Sequence, residues 1–183
     1  MEKTIVIYKS KYGSTEKYAQ WIGEALNCPI KKLEDCSSSD LKEYDNIIYG
    51  GGVHAGGISG FDKFRRWIRK YLWLVDKPEK NIIVFAVGIN IFSQETRTEL
   101  RDINFKKSWL KGLTCYYLPG AYEPSKVHGA DKALMNMVHK MLTGKGNSQM
   151  MPEDRVLIDA IEKGCDMVDK DEIEKIVADI RGE

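Results

Sequence analysis

Apolar residues along this chain follow two rhythms. Thr4–Tyr8 (TIVIY), Asp45–Tyr49 (DNIIY), Asn81–Val87 (NIIVFAV) and Leu113–Leu118 (LTCYYL) are short, β-branched-rich runs without polar alternation. Runs of that kind suit strands buried on both faces of a parallel sheet. Pro29–Leu33 is a weaker strand candidate. Elsewhere the period is helical. Tyr18, Ala19, Ile22, Ala25 and Leu26 mark one face of Thr15–Leu26, and Phe64, Trp67, Ile68, Tyr71, Leu72 and Val75 mark one face of Phe61–Val75. Further helices are predicted near Ala130–Leu142 and over Glu172–Arg181. Strands alternating with helices predict an α/β fold: a doubly wound three-layer sandwich around a five-stranded parallel sheet, in one domain over residues 1–183. Thr143–Pro152 (TGKGNSQMMP) reads as a Gly-punctuated loop before the acidic C-terminal segment.

Composition narrows the class. At 183 residues, 43% hydrophobic and 30% charged, the chain can close a core without a disulfide or metal staple. The net charge of +1 argues against a dedicated nucleic-acid binder. It is unevenly spread: residues 1–151 hold 23 basic and 16 acidic side chains, residues 152–183 hold 5 and 11. The N-terminus lacks the apolar core of a signal peptide, and the longest apolar run, near Ile82–Val87, is far short of the roughly 20 residues of a membrane span. Cys28, Cys36, Cys115 and Cys165 are widely spaced, so a reduced, cytoplasmic setting is expected, with Cys115 an inert core thiol. No His/Cys/Asp cluster has metal-ligand spacing, and no metal is expected.

In doubly wound sheets, ligands bind beyond the carboxyl ends of the strands where the strand order reverses. That directs attention to Ser10–Thr15, Gly50–Gly60 and Gly88–Thr98. Ser10-Lys11-Tyr12-Gly13-Ser14-Thr15 opens a helix. Its free N–H groups, the helix dipole and three hydroxyls could hold a phosphate, with Gly13 allowing close approach; the same residues also suit an ordinary N-cap. The Walker A pattern and the dinucleotide-binding glycine pattern are both absent, and Lys9, Ser10 and Lys11 stand where a phosphoacceptor domain would carry acids.

The run I-V-I-Y-x-S-x-x-G-S-T-E-K-x-A resembles the FMN phosphate loop of the flavodoxin family. Asp45–Gly52 (DNIIYGGG) resembles that family's third strand running into a flavin loop, and Ile82–Val87 its fourth strand before the second flavin loop. Gly120-Ala121-Tyr122, followed by a polar stretch and a Met-rich helix, resembles the menaquinone-dependent protoporphyrinogen dehydrogenases. The resemblance implies FMN as cofactor, with Ser10, Lys11, Tyr12, Gly13, Ser14 and Thr15 at its phosphate. It also implies Gly52, Val53, His54, Ala55, Gly56, Gly57, Gly88, Ile89, Asn90 and Phe92 around its ring. Tyr12 departs from the family, which often has a small hydroxyl residue there; one phosphate donor is thereby lost.

The implied activity is electron transfer through flavin from protoporphyrinogen, or a similarly bulky substrate, to a quinone; the alternative is a one-electron carrier that docks on redox proteins. Family carriers are usually strongly acidic, and this chain is near neutral. A flavin-free scaffold is a third, weaker reading. His54 is the candidate catalytic residue, as a proton relay, or else a surface histidine. His128 and His139 are expected to be solvated or packed. Peptide groups around Val53–Gly57 are expected at the ring's N5 edge. Phe92 is the nearest aromatic cover, with Val53 and Ile89 the aliphatic alternative. Met135, Met137, Met141, Met150 and Met151 read either as core or as one wall of an apolar substrate site. Lys63, Arg65, Arg66, Arg69 and Lys70 alternate with aromatics, including Trp73. That helix reads as core-facing aromatics with a solvated basic face, or as a surface for anionic lipid and porphyrin carboxylates, so peripheral membrane contact is an expectation.

Overall fold

The computed structural model describes residues 2–74 and 80–183, with backbone alone for 71–74 and 147. The predicted helix end at Val75 lies outside the described residues, as do the side chains of Tyr71, Leu72 and Trp73.

Five parallel strands form the central sheet: β1 (Thr4–Lys9), β2 (Ile30–Lys32), β3 (Asn46–His54), β5 (Asn81–Gly88) and β6 (Thr114–Pro119), in spatial order β2-β1-β3-β5-β6. A short strand, β4 (Gly57–Ile58), turns back antiparallel on the end of β3. Because successive strand side chains point to opposite faces, the apolar runs split cleanly. Ile5, Ile7, Ile47, Tyr49, Val84 and Ala86 face α2 (Phe61–Leu74), meeting Phe61, Phe64 and Ile68. Val6, Tyr8, Ile48, Ile83, Phe85 and Val87 face α1 (Ser14–Leu26) and the C-terminal segment, meeting Tyr18, Ala19, Ile22, Ile176 and Val177. Phe61, Phe64 and Ile68 of α2 are thus core, Phe64 stacking on Tyr49 at 4.3 Å, while Arg66, Arg69 and Lys70 lie in solvent.

Three departures from the sequence pattern matter. First, β3 does not stop at Tyr49. Gly50, Gly51 and Gly52 are strand residues paired with Phe85, Ala86 and Val87. Gly50 is glycine because a Cβ there would lie 2.0 Å from Cζ of Phe85, and Gly51 because a Cβ would lie 2.6 Å from Cγ2 of Ile58. These positions need room, not backbone freedom. Within Gly50–Gly60 only Ala55–Gly56 and Ser59–Gly60 are turns.

Second, the Gly88–Thr98 loop is shorter than expected, since α3 runs over Gln94–Asn104 with Ser93 as N-cap. Its buried residues are only Leu100 and Asn104, too few to form a periodic stripe. Third, a helical hairpin follows β6. Strand β7 (Ala121–Tyr122) pairs antiparallel with β8 (Cys165–Asp166), Tyr122 opposite Cys165. Between them lie α4 (Gly129–Thr143) and α5 (Pro152–Lys163). His139 Nε2 meets Glu162 Oε1 at 2.7 Å, Lys145 Nζ meets Asp154 Oδ2 at 2.8 Å, and Leu142, Ala160 and Ile161 are buried. The final helix, α6 (Glu174–Arg181), then packs beside α1. Met137, Met141 and Met151 are 63%, 63% and 58% exposed, so they are not core.

Candidate functional site

The strand order reverses at β1, whose neighbours are β2 on one side and β3 on the other. A cleft opens there, above the carboxyl ends of β1, β3 and β5. Its floor and one wall are Ser10, Lys11, Tyr12, Ser14, Thr15, Gly52, Val53, His54, Ala55, Val87, Gly88 and Ile89. The opposite wall is Gly120, Ala121, Tyr122, Val127, Asp131, Leu134 and Met135.

No side chain caps the head of α1. Gly13 is its N-cap at φ 98°, a left-handed conformation open to glycine. The Gly13 N–H is spent on Ser10 Oγ (3.1 Å), and the first helical N–H to reach a backbone acceptor is that of Lys17, on Gly13 O. Ser14, Thr15 and Glu16 therefore present N–H groups with no partner within the helix. Ser14 Oγ accepts from the Ala121 N–H at 3.2 Å, tying the loop to β7 and leaving the hydroxyl proton free to donate. Thr15 is 3% exposed and lines the cleft; among the described residues its hydroxyl makes no hydrogen bond. None of the loop's hydroxyls caps the helix.

Lys11 and Tyr12 turn outward to a partner absent from the sequence reading. Asp131, in the first turn of α4, accepts from Lys11 Nζ at 2.6 Å and from the Tyr12 hydroxyl at 2.5 Å. Lys11 first, then Tyr12, holds the Asp131 carboxyl below its ordinary value. Tyr12 is accordingly latched to the hairpin, not to the phosphate position. No motif flagged Asp131, which lies 120 residues from Lys11.

His54 ends β3, its ring 6.0 Å from that of Tyr12, and among the described residues its nitrogens have no hydrogen-bond partner. Burial lowers its pKa from the ordinary 6.5, with Asp131 opposing and Lys11 reinforcing the shift. Unfolded His54 takes up a proton near 6.5 and the folded residue resists until lower pH, so stability must fall as pH drops through that window. His54→Gln is expected to flatten this acid slope, read from urea midpoints of the protein at about pH 7.5 and about pH 5.

The other predicted positions divide. Gly52, Val53, His54, Ala55, Gly88 and Ile89 meet in the cleft, whereas Gly56 and Gly57 lie on the far side of the β3–β4 turn. Asn90 donates to Thr96 Oγ1 at 3.0 Å, bracing the start of α3, and does not line the cleft. Phe92 is 54% exposed and does not line the cleft, whereas Val53 and Ile89, the aliphatic alternative, do. Met135 is in the lining, and Leu134 and Tyr122 join it. His128 is exposed. All four cysteines are free, with thiol pKa values raised by burial, that of Cys115 to about 12, so none is an activated nucleophile. Among the described residues no group of three potential ligands could hold a metal, and no helix is long and apolar enough to cross a membrane.

A family model described as "Flavodoxin domain" matches residues 5–149, a span that holds every cleft-lining residue. The chain is 28% identical over 110 residues to uncharacterized protein MJ0298 of Methanocaldococcus jannaschii, covering 57% of this chain and 69% of that protein. Among solved structures it is similar to a flavodoxin from the domain Archaea (19% identity, 88% of this chain and 97% of that one, TM-score 0.44). It is also similar to oxidised Flavodoxin 2 from Bacillus cereus (22% identity, 64% and 84% covered, TM-score 0.49).

Proposed function

We propose, from the premise that this chain belongs to the flavodoxin-domain family, that it is an FMN-dependent oxidoreductase for a bulky organic substrate. The observation that carries this reading is the hairpin inserted between β7 and β8: it brings Asp131, Leu134 and Met135 to the mouth of the cleft. A carrier that passes single electrons to protein partners needs an open flavin edge; an apolar wall over that edge suits a small-molecule substrate.

The donor set fits the cofactor. Uncapped N–H groups of Ser14, Thr15 and Glu16, with the Ser10, Ser14 and Thr15 hydroxyls, match a terminal phosphate. Val53 and Ile89 would offer aliphatic contact to a flat ring, and the backbone of Gly52–Ala55 would supply polar groups to it. Bound FMN supplies the redox chemistry. His54, held neutral by burial, has a free nitrogen for accepting a proton at that edge. Leu134, Met135, Val127 and Tyr122 would shield the substrate side of the cleft from water.

The specific version of this reading has protoporphyrinogen as donor and a quinone as acceptor, each pair of hydrogens lost by the donor converting one quinone to a quinol. The methionine-bearing α4 wall and the near-neutral charge support it. A membrane-dissolved quinone would be reached through the exposed Arg66, Arg69 and Lys70 of α2, meeting anionic lipid. The test is to load the protein with FMN and supply protoporphyrinogen with a soluble quinone. Catalytic porphyrin formation is expected, whereas single-electron exchange with redox proteins and no turnover of either compound would favour the carrier.

The Asp131 latch gives a smaller prediction. Asp131 neutralises the cation nearest the phosphate loop and adds a negative charge at its rim. Asp131→Asn is expected to tighten FMN roughly threefold to tenfold, the effect being modest because Lys11 is solvent-exposed. Riboflavin, which lacks the phosphate, should bind unchanged; both are measured by quenching of flavin fluorescence.

A further inference from the structure

We propose that Asn104, at the end of α3, is the positioning residue that fixes the β3–β4 turn against the flavin ring; the flavin part of this rests on the cofactor reading above. The turn is two residues long. His54 pairs with Gly57, and Ala55 (φ 48°) and Gly56 (φ 76°) both lie in the left-handed region, the signature of a type I′ hairpin. A non-glycine residue in that region is uncommon and needs support from its surroundings.

The support comes from 46 to 48 residues away. Asn104 is 7% exposed, and its amide is fully committed. Oδ1 accepts from the Ile58 N–H at 3.0 Å; Nδ2 donates to Gly56 O at 2.9 Å and to Leu100 O at 2.8 Å. One side chain thus grips the carbonyl at the turn and the N–H just past it, and anchors both to α3. Ile103 of the same helix packs against the turn: a Cβ on Gly56 would lie 2.7 Å from its Cδ1.

The grip is on the back of the turn. On the front, Val53, His54 and Ala55 line the cleft. Fixing the Gly56 carbonyl orients the adjoining peptide planes, and so fixes which backbone groups the turn offers to a ring in the cleft. Asn104 touches nothing in the cleft itself. A hydrophobic residue could fill the same buried volume; only a planar group with a donor and an acceptor can hold both backbone atoms.

Asn104→Asp isolates the donor. It keeps the shape and the bond from the Ile58 N–H, but turns a carboxylate oxygen toward two carbonyls. FMN affinity is expected to fall about tenfold to a hundredfold relative to wild type at about pH 8. It should recover toward wild type at about pH 5, where the protonated acid again donates to Gly56 O. The visible absorption of bound FMN should change in step. Ile103→Ala, a change at a 45% exposed residue, should weaken FMN binding less and leave the melting temperature unaltered. Asn104→Ala, read without flavin, should speed hydrogen exchange at the Ile58 amide more than at core strand amides. An Asn104→Asp protein with wild-type affinity and spectrum at both pH values overturns the assignment, as does unchanged Ile58 exchange in Asn104→Ala. If the wild-type protein fails to bind FMN, the cofactor reading falls, while the exchange measurement still decides whether Asn104 holds the turn.

Discussion

On the cofactor reading above, Gly13→Val is expected to weaken FMN binding by orders of magnitude while leaving a folded protein. A Cβ at residue 13 meets no atom within 4 Å, so crowding at Cβ is not what the substitution changes. What it cannot keep is φ 98°, which a β-branched side chain avoids at a cost of about 1–3 kcal/mol. The loop will relax toward negative φ, and the N–H groups of Ser14, Thr15 and Glu16 will no longer converge. Hydrogen bonds to a charged phosphate are worth about 1.5–3 kcal/mol each. Losing two of them weakens binding by roughly 10²-fold to 10⁴-fold. Riboflavin binding should drop far less, because it uses only the ring contacts. Parallel fluorescence titrations with FMN and riboflavin read the difference directly. Equal losses for both ligands would mean that the phosphate is held elsewhere.

The second large effect concerns the helical hairpin. Tyr122 and Cys165 stand opposite each other in the β7–β8 pair, so a two-residue Asn-Gly turn can join them directly and delete residues 123–164. The central sheet, α1, α2, α3 and α6 keep their buried contacts, since neither core cluster draws a residue from the hairpin. Circular dichroism should show a folded α/β protein that still takes up FMN through the α1 loop. Turnover of a bulky substrate should fall about 10²-fold or more, because Leu134, Met135 and Val127 no longer orient it and water reaches the flavin edge. Single-electron reduction by a small mediator should be preserved or faster. Undiminished turnover in the shortened protein would refute the enzyme reading and return the chain to the carrier class.

The two predictions rest on parts of the molecule that were not equally legible. The loop at the head of α1 was readable because its parts are contiguous: a buried strand, a glycine, three hydroxyls and the start of an amphipathic helix fall within Thr4–Thr15. The two-sided burial of the sheet was readable for a similar reason, since a strand covered on both faces must be apolar throughout. The glycine run misled. Glycine marks both backbone freedom and close packing, and only Phe85 and Ile58, brought over β3 by the sheet and by β4, show that Gly50 and Gly51 serve packing. α3 escaped detection because a helix with so few buried residues has no stripe.

The chain's local chemistry by itself determined a doubly wound sheet and a glycine- and hydroxyl-bearing helix start at its switch point. Tertiary structure alone decided what closes over that end and what holds its neighbour in place. Asp131 meets Lys11 across 120 residues of chain, and Asn104 meets Gly56 across 48. Neither pairing leaves a local trace, because a hydrogen bond depends on where the folded backbone delivers two groups, and residue type at each end constrains that delivery only weakly.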